Sequence, residues 1–441
     1  MTLLIISPDY ASHLLPLATL GTSFAEAGER VVVATGPATA SIVDAFGFER
    51  INLQLGRGSN PGVIRAENQP TGEDDALRGF FEATRHGLVE TMRFQAAARS
   101  NDLMWDPVNT ARAVHTVVEE VGADHIIIDH LAFSARLALT AHGTPHADVV
   151  LGHPTALPVA GEVYGYPSAW PAAFTPDPAA LAELRALCDS VSTNFTAEWN
   201  AALHEINPAA TPSANAFAEH GDTLLLNYPG ELHSAERTAL LPRHEFLGSA
   251  VRTEPVDPEV AQWLAASDAP VVYVSFGSFL SVRGDVLARV LRALEKLDVR
   301  VAVAIGSASR AELGELPAPW LVREFLPQVT LLGAAVAAVT HAGNNSVTEA
   351  ITNGVPLLAL PFSTDQFAGA AALEQRGFGR ALDPNTASVD ELHTALLQVL
   401  SLPDAPRAAL GELSASLRAQ PGRHRAFAAL TSHDPVAVPG R

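Results

Sequence analysis

Cysteine occurs once in 441 residues, at Cys188, which excludes an internal disulfide framework and a cysteine-based zinc site. The shortage fits a reducing, cytoplasmic setting, and the default role of this residue is that of a small buried hydrophobe. Lysine is as scarce. Lys296 is the only one, and beside abundant alanine this reads as GC-rich codon usage with no functional weight. Charged residues make up 17% of the chain and the net charge is −20, with no arginine-rich stripe to reverse it locally. A nucleic-acid backbone would be repelled, so nucleic acid is not an expected partner. No apolar run reaches the roughly 18 residues of a membrane span, and "MTLLIISPDY" has no basic region ahead of its short run Leu3–Ile6. The expectation is a soluble, cytoplasmic protein without stable membrane insertion. No Gly-x-Gly-x-x-Gly follows the first apolar run, which disfavours a nicotinamide dehydrogenase. No Asp-x-Asp closes an apolar run, and the acidic cluster Glu73–Asp75 lies in a Pro/Gly-rich loop, so no divalent metal is expected.

What is present is alternation. With 48% hydrophobic residues, the chain is too long for one ordinary core, and two domains of about 200 residues are the natural division. Short apolar runs such as "LLII" (3–6), "RVVVAT" (30–35), "DHIIIDH" (124–130) and "DTLLLN" (222–227) are interleaved with helix-like stretches. The rhythm breaks at "LGSAVRTEPVDPEVAQWLAASDAP" and resumes with "VVYVSF" (271–276), "RVAVAIG" (300–306), "AAVTHAG" (337–343) and "VPLLALPF" (355–362). Such βαβ patterning predicts parallel sheets covered by helices. The expected fold is α/β, with two facing Rossmann-like, doubly wound domains over 1–248 and 269–441 joined by a linker at 249–268. Two less regular segments, about 56–75 and 152–178, carry or precede the aromatics Phe80, Phe81, Trp170 and Phe174. These four are candidates for the wall of an apolar pocket, although each taken singly fits ordinary packing under a loop.

Ligands of open parallel sheets bind beyond the carboxyl ends of the strands. His341 to Ser346 follow one such run, where Gly343 permits a tight backbone and Asn344, Asn345 and Ser346 begin a helix whose first amides lack intrahelical partners. That is an anion cradle. Glu349, one turn further on, suits neutral hydroxyls such as those of a ribose, and the pair Asp365-Gln366 after the next run suits hexose hydroxyls. In the first half, His13 follows the first run and Asp129 closes "DHIIID", so an acid-supported imidazole can remove a proton from a hydroxyl at neutral pH. Strand alternation turns the adjacent His130 to the other face, as a structural residue.

The stretch "FLPQVTLLGAAVAAVTHAGNNSVTEAITNGVPLLALPFSTDQ" (325–366) resembles the nucleotide-sugar-binding region of family-1 glycosyltransferases, which have the two-domain GT-B fold. The resemblance implies Phe325 and Gln328 at the base, His341, Gly343, Asn345 and Ser346 at the pyrophosphate, Glu349 at the ribose, and Asp365-Gln366 at the sugar. "SFGS" matches more loosely and brings Gly277 and Ser278 near the phosphates. His13, Pro16 and Leu20 match a His-x-x-Pro-x-x-x-Leu pattern in which most members carry Gly at the position of Ser12. Plant members have Trp at 325 and Cys-Gly-Trp at 342–344.

The family implies inverting transfer from a UDP- or TDP-sugar to a hydroxyl of a lipophilic acceptor such as a polyketide, macrolide or phenol, as in antibiotic and other natural-product biosynthesis. It also implies no cofactor beyond the co-substrate, no metal, and a C-terminal helix as a candidate to pack back on the first domain. Monomer and homodimer stay equally open. A sugar-nucleotide epimerase of the same fold, lacking an acceptor pocket, is the rival enzyme. A silent auxiliary protein would be expected to have lost the base and donor residues, which are present here.

Overall fold

In a computed structural model that describes residues 1–70, 72–99 and 103–432, the first sheet has seven parallel strands. They are β1 (Thr2–Ile6), β2 (Arg30–Thr35), β3 (Glu49–Asn52), β4 (His125–Asp129), β5 (Ala147–Val150), β6 (Thr223–Leu226) and β7 (His244–Phe246), in the order β3-β2-β1-β4-β5-β6-β7. Leu3, Leu4, Ile5 and Ile6 are all buried because helices cover both faces of the sheet, which is why the run is continuously apolar. The second sheet has six parallel strands: β8 (Val271–Ser275), β9 (Arg300–Ala304), β10 (Leu321–Arg323), β11 (Ala335–Thr340), β12 (Leu357–Ala359) and β13 (Gly379–Ala381). Their order is β10-β9-β8-β11-β12-β13. Both orders reverse once, between β1 and β4 and between β8 and β11, and such switch points open the crevices where ligands bind.

The connection between the sheets is not a bare linker. Residues 249–257 carry no regular secondary structure, and then helix Pro258–Ala265 forms with Asp257 accepting hydrogen bonds from the backbone N–H groups of Glu259 and Val260. Pro258 at the first helical position costs no hydrogen bond there. Val260 is fully buried in the second domain's core, so this helix belongs to that domain.

Helix Asp404–Ala419 places Leu410, Leu413 and Leu417 in the same core. The chain then crosses back, and helix Gly422–Thr431 lies on helix Ala11–Glu26 with Phe427 edge-on to Phe24, ring centroids 4.8 Å apart. Gly422 is required at the crossing. A Cβ there would stand 2.6 Å from the carbonyl oxygen of Ser249 and 2.8 Å from that of Leu247.

A further hydrophobic cluster forms under the second irregular segment, around Trp199, Phe195, Phe217 and Tyr164. Phe367, from the second domain, is fully buried in it. The cores of the two domains therefore interlock beside the cleft.

Among the described residues, no helix is long and apolar enough to cross a membrane. None of them form a group of three or more His, Cys, Asp or Glu side chains placed to hold a metal ion.

Candidate active site

His13 sits in the first turn of helix Ala11–Glu26, directly after β1, and Asp129 is the last residue of β4. Because β1 and β4 are neighbours, the switch point brings the two side chains together: His13 Nδ1 lies 2.5 Å from Asp129 Oδ2. The other carboxylate oxygen accepts from the backbone N–H of Leu131 at 2.8 Å, which fixes the plane of the acid. Asp129 is completely buried, whereas 26% of the His13 side chain is exposed. Burial alone would lower the His13 pKa, but the Asp129 carboxylate overrides it and holds the imidazole above its ordinary value, with Asp365 adding to the effect. Burial would likewise raise Asp129, yet His13 and the Leu131 N–H hold it below the usual carboxylate range. His130 turns away into the interior. Its imidazole, pushed down to about 4 by burial, stays neutral and lies 3.3 Å from the carbonyl of Ala156.

Pro16 explains how this half meets the other. Proline has no N–H, so the carbonyl of Ser12, four residues earlier, loses its usual helical partner. Asn345 Nδ2, from the second domain, donates to that carbonyl at 2.9 Å. Asn345 Oδ1 accepts from Asn227 Nδ2, and Asn344 Nδ2 donates to the carbonyls of Leu151 and Asn227. The helix Asn344–Thr352 thus starts against Ser12, the residue before His13, and against the chain just beyond β5 and β6. Its cap is Gly343, which supplies no side-chain acceptor, so the amides of the first turn are available to an anion.

The imidazole of His341 fills the space beside this cradle. A Cβ at Gly277 would lie 2.7 Å from its Cε1, and one at Gly343 only 2.2 Å from its Nε2. Both glycines, expected from the family pattern at the phosphates, are demanded here by the ring. Burial pushes His341 down to about 4, leaving it neutral, and its Nδ1 has no protein partner. Ser278 is tied to the first domain, with Asn60 Nδ2 donating to its Oγ at 3.3 Å and the Ile64 N–H donating to its carbonyl. Two non-glycine residues of the donor corners, Ala342 (φ 63°) and Thr364 (φ 50°), adopt left-handed backbone. Such strain gathers at binding sites.

The remaining donor candidates are already engaged. Glu349 is buried, pairs with Arg252 Nη1 at 2.8 Å and accepts from Gln328 Nε2 at 2.7 Å. Ser346 stands at the first turn of the same helix, while Phe325 is 60% exposed. Asp365 Oδ2 accepts from the backbone N–H of His153, across the cleft, at 2.6 Å, and Oδ1 accepts from Thr364 Oγ1. Gln366, expected at the hexose, is bonded within its own loop. Its Oε1 accepts from the N–H groups of Phe362 and Ser363 and its Nε2 donates to Ser363 Oγ, so the amide braces its own loop.

The four aromatics do not converge on one pocket. Phe174 is buried edge-on against Phe367 (5.2 Å, 81°), Trp170 packs on the same cluster, and Phe80 packs against the second domain's core. Phe81 lines a cleft of about 310 Å³, with Ile64, Arg65 and Ser307. Arg65 pairs with Glu324, the neighbour of Phe325. Rings of this size gain more by excluding water in an interlocked core than by facing a cleft.

Sequence reasoning missed Asn60, Asn227 and Arg252. Asn227 closes the β6 run and was open to the same strand-end argument as Asp129. Asn60 and Arg252 lie in irregular segments with no periodic signal.

The family described as "UDP-glucoronosyl and UDP-glucosyl transferase" matches residues 186–419, more than half of the chain. The chain belongs to this family. Among relatives of this chain, the oleandomycin glycosyltransferase of Streptomyces antibioticus is 30% identical over 48% of this chain and 51% of its own length. The myricetin 3-O-rhamnosyltransferase of Crocosmia x crocosmiiflora is 30% identical over 47% of this chain and 48% of its own. The match spans about half the length of these curated relatives. The whole fold is shared more widely: the solved spinosyn forosaminyltransferase superposes with a TM-score of 0.66 over 98% of both chains at 20% identity. Two facing Rossmann-like domains of this kind are the GT-B fold.

Proposed function

We propose that the protein transfers a sugar, with inversion, from a UDP- or TDP-sugar to a hydroxyl of a lipophilic small molecule. In this reading residues 1–248 bind the acceptor and residues 269–441 the donor. His13 Nε2 takes the proton of the acceptor hydroxyl as that oxygen attacks the anomeric carbon, and the bond from that carbon to the diphosphate breaks. A single displacement inverts the anomeric centre. Asp129 keeps the proton of Nδ1 in place and stabilises the imidazolium that forms. The departing diphosphate gains its charge where the free amides of helix Asn344–Thr352, Ser346, Ser278 and His341 gather, which is electrostatic stabilisation without a metal.

The observation that carries the reading is the join between Asn345 and the Ser12 carbonyl, because it sets the anion cradle beside the imidazole of the other domain. The neighbours in sequence and structure are consistent with natural-product acceptors, since they include enzymes named for oleandomycin, myricetin and spinosyn. The test is a thermal-shift panel of UDP-, TDP- and GDP-sugars, followed by nucleoside diphosphate release with a panel of phenols and macrolides. Stabilisation by a UDP- or TDP-sugar and acceptor-dependent release of the diphosphate are expected, with an inverted anomeric configuration in the product by NMR. No stabilisation by any nucleotide sugar would overturn the reading, and diphosphate release without acceptor would favour the epimerase.

A further inference from the structure

The connection between the domains contributes a buried cation to the donor site. Arg252, in the irregular stretch 249–257, donates from Nη1 to Glu349 Oε1 at 2.8 Å and from Nη2 to Glu254 Oε1 at 2.7 Å. The other oxygen of Glu254 accepts from the N–H and the Oγ1 of Thr330, in helix Gln328–Leu332. Gln328 Nε2 in turn donates to Glu349 Oε2 at 2.7 Å, and Tyr273 Oη donates to Gln328 Oε1. The chain closes on itself as Arg252, Glu349, Gln328, helix Gln328–Leu332 and Glu254. Side-chain exposures of 16% for Arg252, 5% for Glu349 and 7% for Glu254 place it out of bulk water.

Two carboxylates drawn so far out of water need a cation and hydrogen bonds to offset their desolvation. A planar guanidinium suits the task, since it offers both acids separate N–H groups in a fixed fork. Each oxygen of Glu349 then has one lone-pair direction occupied and one left over, which is what a sugar hydroxyl needs.

We propose that Arg252 is a positioning residue for nucleoside recognition: it holds the Glu349 carboxylate charged and turned so that its spare lone pairs accept from the ribose hydroxyls of the donor. This rests on the donor reading above. The connection between the domains thereby becomes part of the nucleotide site, and a donor that grips Glu349 also tightens the segment about which the domains would pivot.

Isothermal titration calorimetry with UDP, TDP and their 3′-deoxy counterparts tests the inference, using the full chain and Arg252→Ala. The unsubstituted protein is expected to bind the 3′-hydroxylated nucleotide about tenfold more tightly than the 3′-deoxy one, the value of one good hydrogen bond to a charged group. In Arg252→Ala that discrimination should shrink to under about threefold, through loss of affinity for the hydroxylated ligand alone. Arg252→Lys, which keeps a cation but not the fork, should retain part of it. If Arg252→Ala does not fold, the double variant R252M/E254Q removes the second buried charge with the first and should show the same collapse. Equal weakening of both ligands, or unchanged discrimination in a folded variant, would overturn the inference alone. Failure of the unsubstituted protein to bind any of the four would overturn the donor reading as well.

Discussion

The two switch points of this molecule are built alike and prepared differently. At the first, His13 and Asp129 form a hydrogen-bonded pair with the acid buried and the imidazole partly exposed. At the second, the groups expected to hold the donor are bonded to one another or to the opposite domain, as in Glu349 with Arg252 and Asp365 with the His153 N–H. The difference follows from desolvation. An imidazole that is one-quarter exposed keeps part of its surface in water, whereas buried carboxylates must have hydrogen bonds at all times and exchange them for those of a ligand. The first corner is a single pair, and at the second the carboxylates are already bonded while the amides that open the helix stay available.

The largest break in this contrast comes from removing the base. His13→Ala should lower kcat by about 10²–10⁴ while leaving the affinity for nucleotide sugar within about twofold, as read by steady-state kinetics beside calorimetry. A loss of donor affinity as large as the loss of rate would show that the first corner is also a binding site.

Asp129→Asn should lower kcat by a somewhat smaller factor, about 10²–10³, and also move the pH profile. The base works deprotonated, so kcat/KM rises as pH climbs through its pKa. In the parent protein that pKa is held above 6.5 by Asp129 against burial, so the acid limb should lie above pH 6.5. Without the carboxylate burial prevails, and the limb should shift to lower pH. A limb that stays in place would assign the titration to another group.

Glu349→Gln acts on the other corner. Donor affinity should fall about tenfold to a hundredfold, the loss of a charge-assisted hydrogen bond, with kcat at saturating donor nearly intact. If kcat fell as steeply as affinity, the two corners would not be separable.

The smallest effect is on stability. Gly277→Ala puts a Cβ 2.7 Å from the His341 ring at a φ of 70°, and should cost about 1–3 kcal/mol, measured by urea unfolding. Gly28 has a positive φ of 81° but open space around it, so Gly28→Ala serves as the control for backbone strain without the clash.

Much of the site was legible because it stands at the ends of apolar runs. His13 and His341 to Ser346 follow strands, and Asp129 ends one, whose burial on both faces forces an unbroken apolar pattern, and the ends of such strands border the crevice of an open parallel sheet. Short edge strands were not legible in the same way. β3, β7, β10 and β13 have three or four residues each, too few for a period to show, and tertiary pairing decides them. The helix Pro258–Ala265 was hidden by the Pro and acidic residues that cap it. Gln366 marks a limit of the sequence, because an amide that suits a sugar also suits two backbone N–H groups, and only the turn of residues 362–366 shows which protein partners are near.

Composition, the alternation of apolar runs and the residues that close them determined by themselves the α/β class and the division into two doubly wound halves, and they nominated the candidate site residues, because burial and periodicity are local properties of a chain. What only the tertiary structure decided is which of those groups touch across the cleft. The bond from Asn345 to the carbonyl that Pro16 leaves free, the clasp of Arg252 on Glu349 and the ring of Phe367 in the other domain's core join residues 97 to more than 300 positions apart. Contacts at such separation carry no periodic signature, since they arise from the packing of two finished domains and not from the order of residues within either.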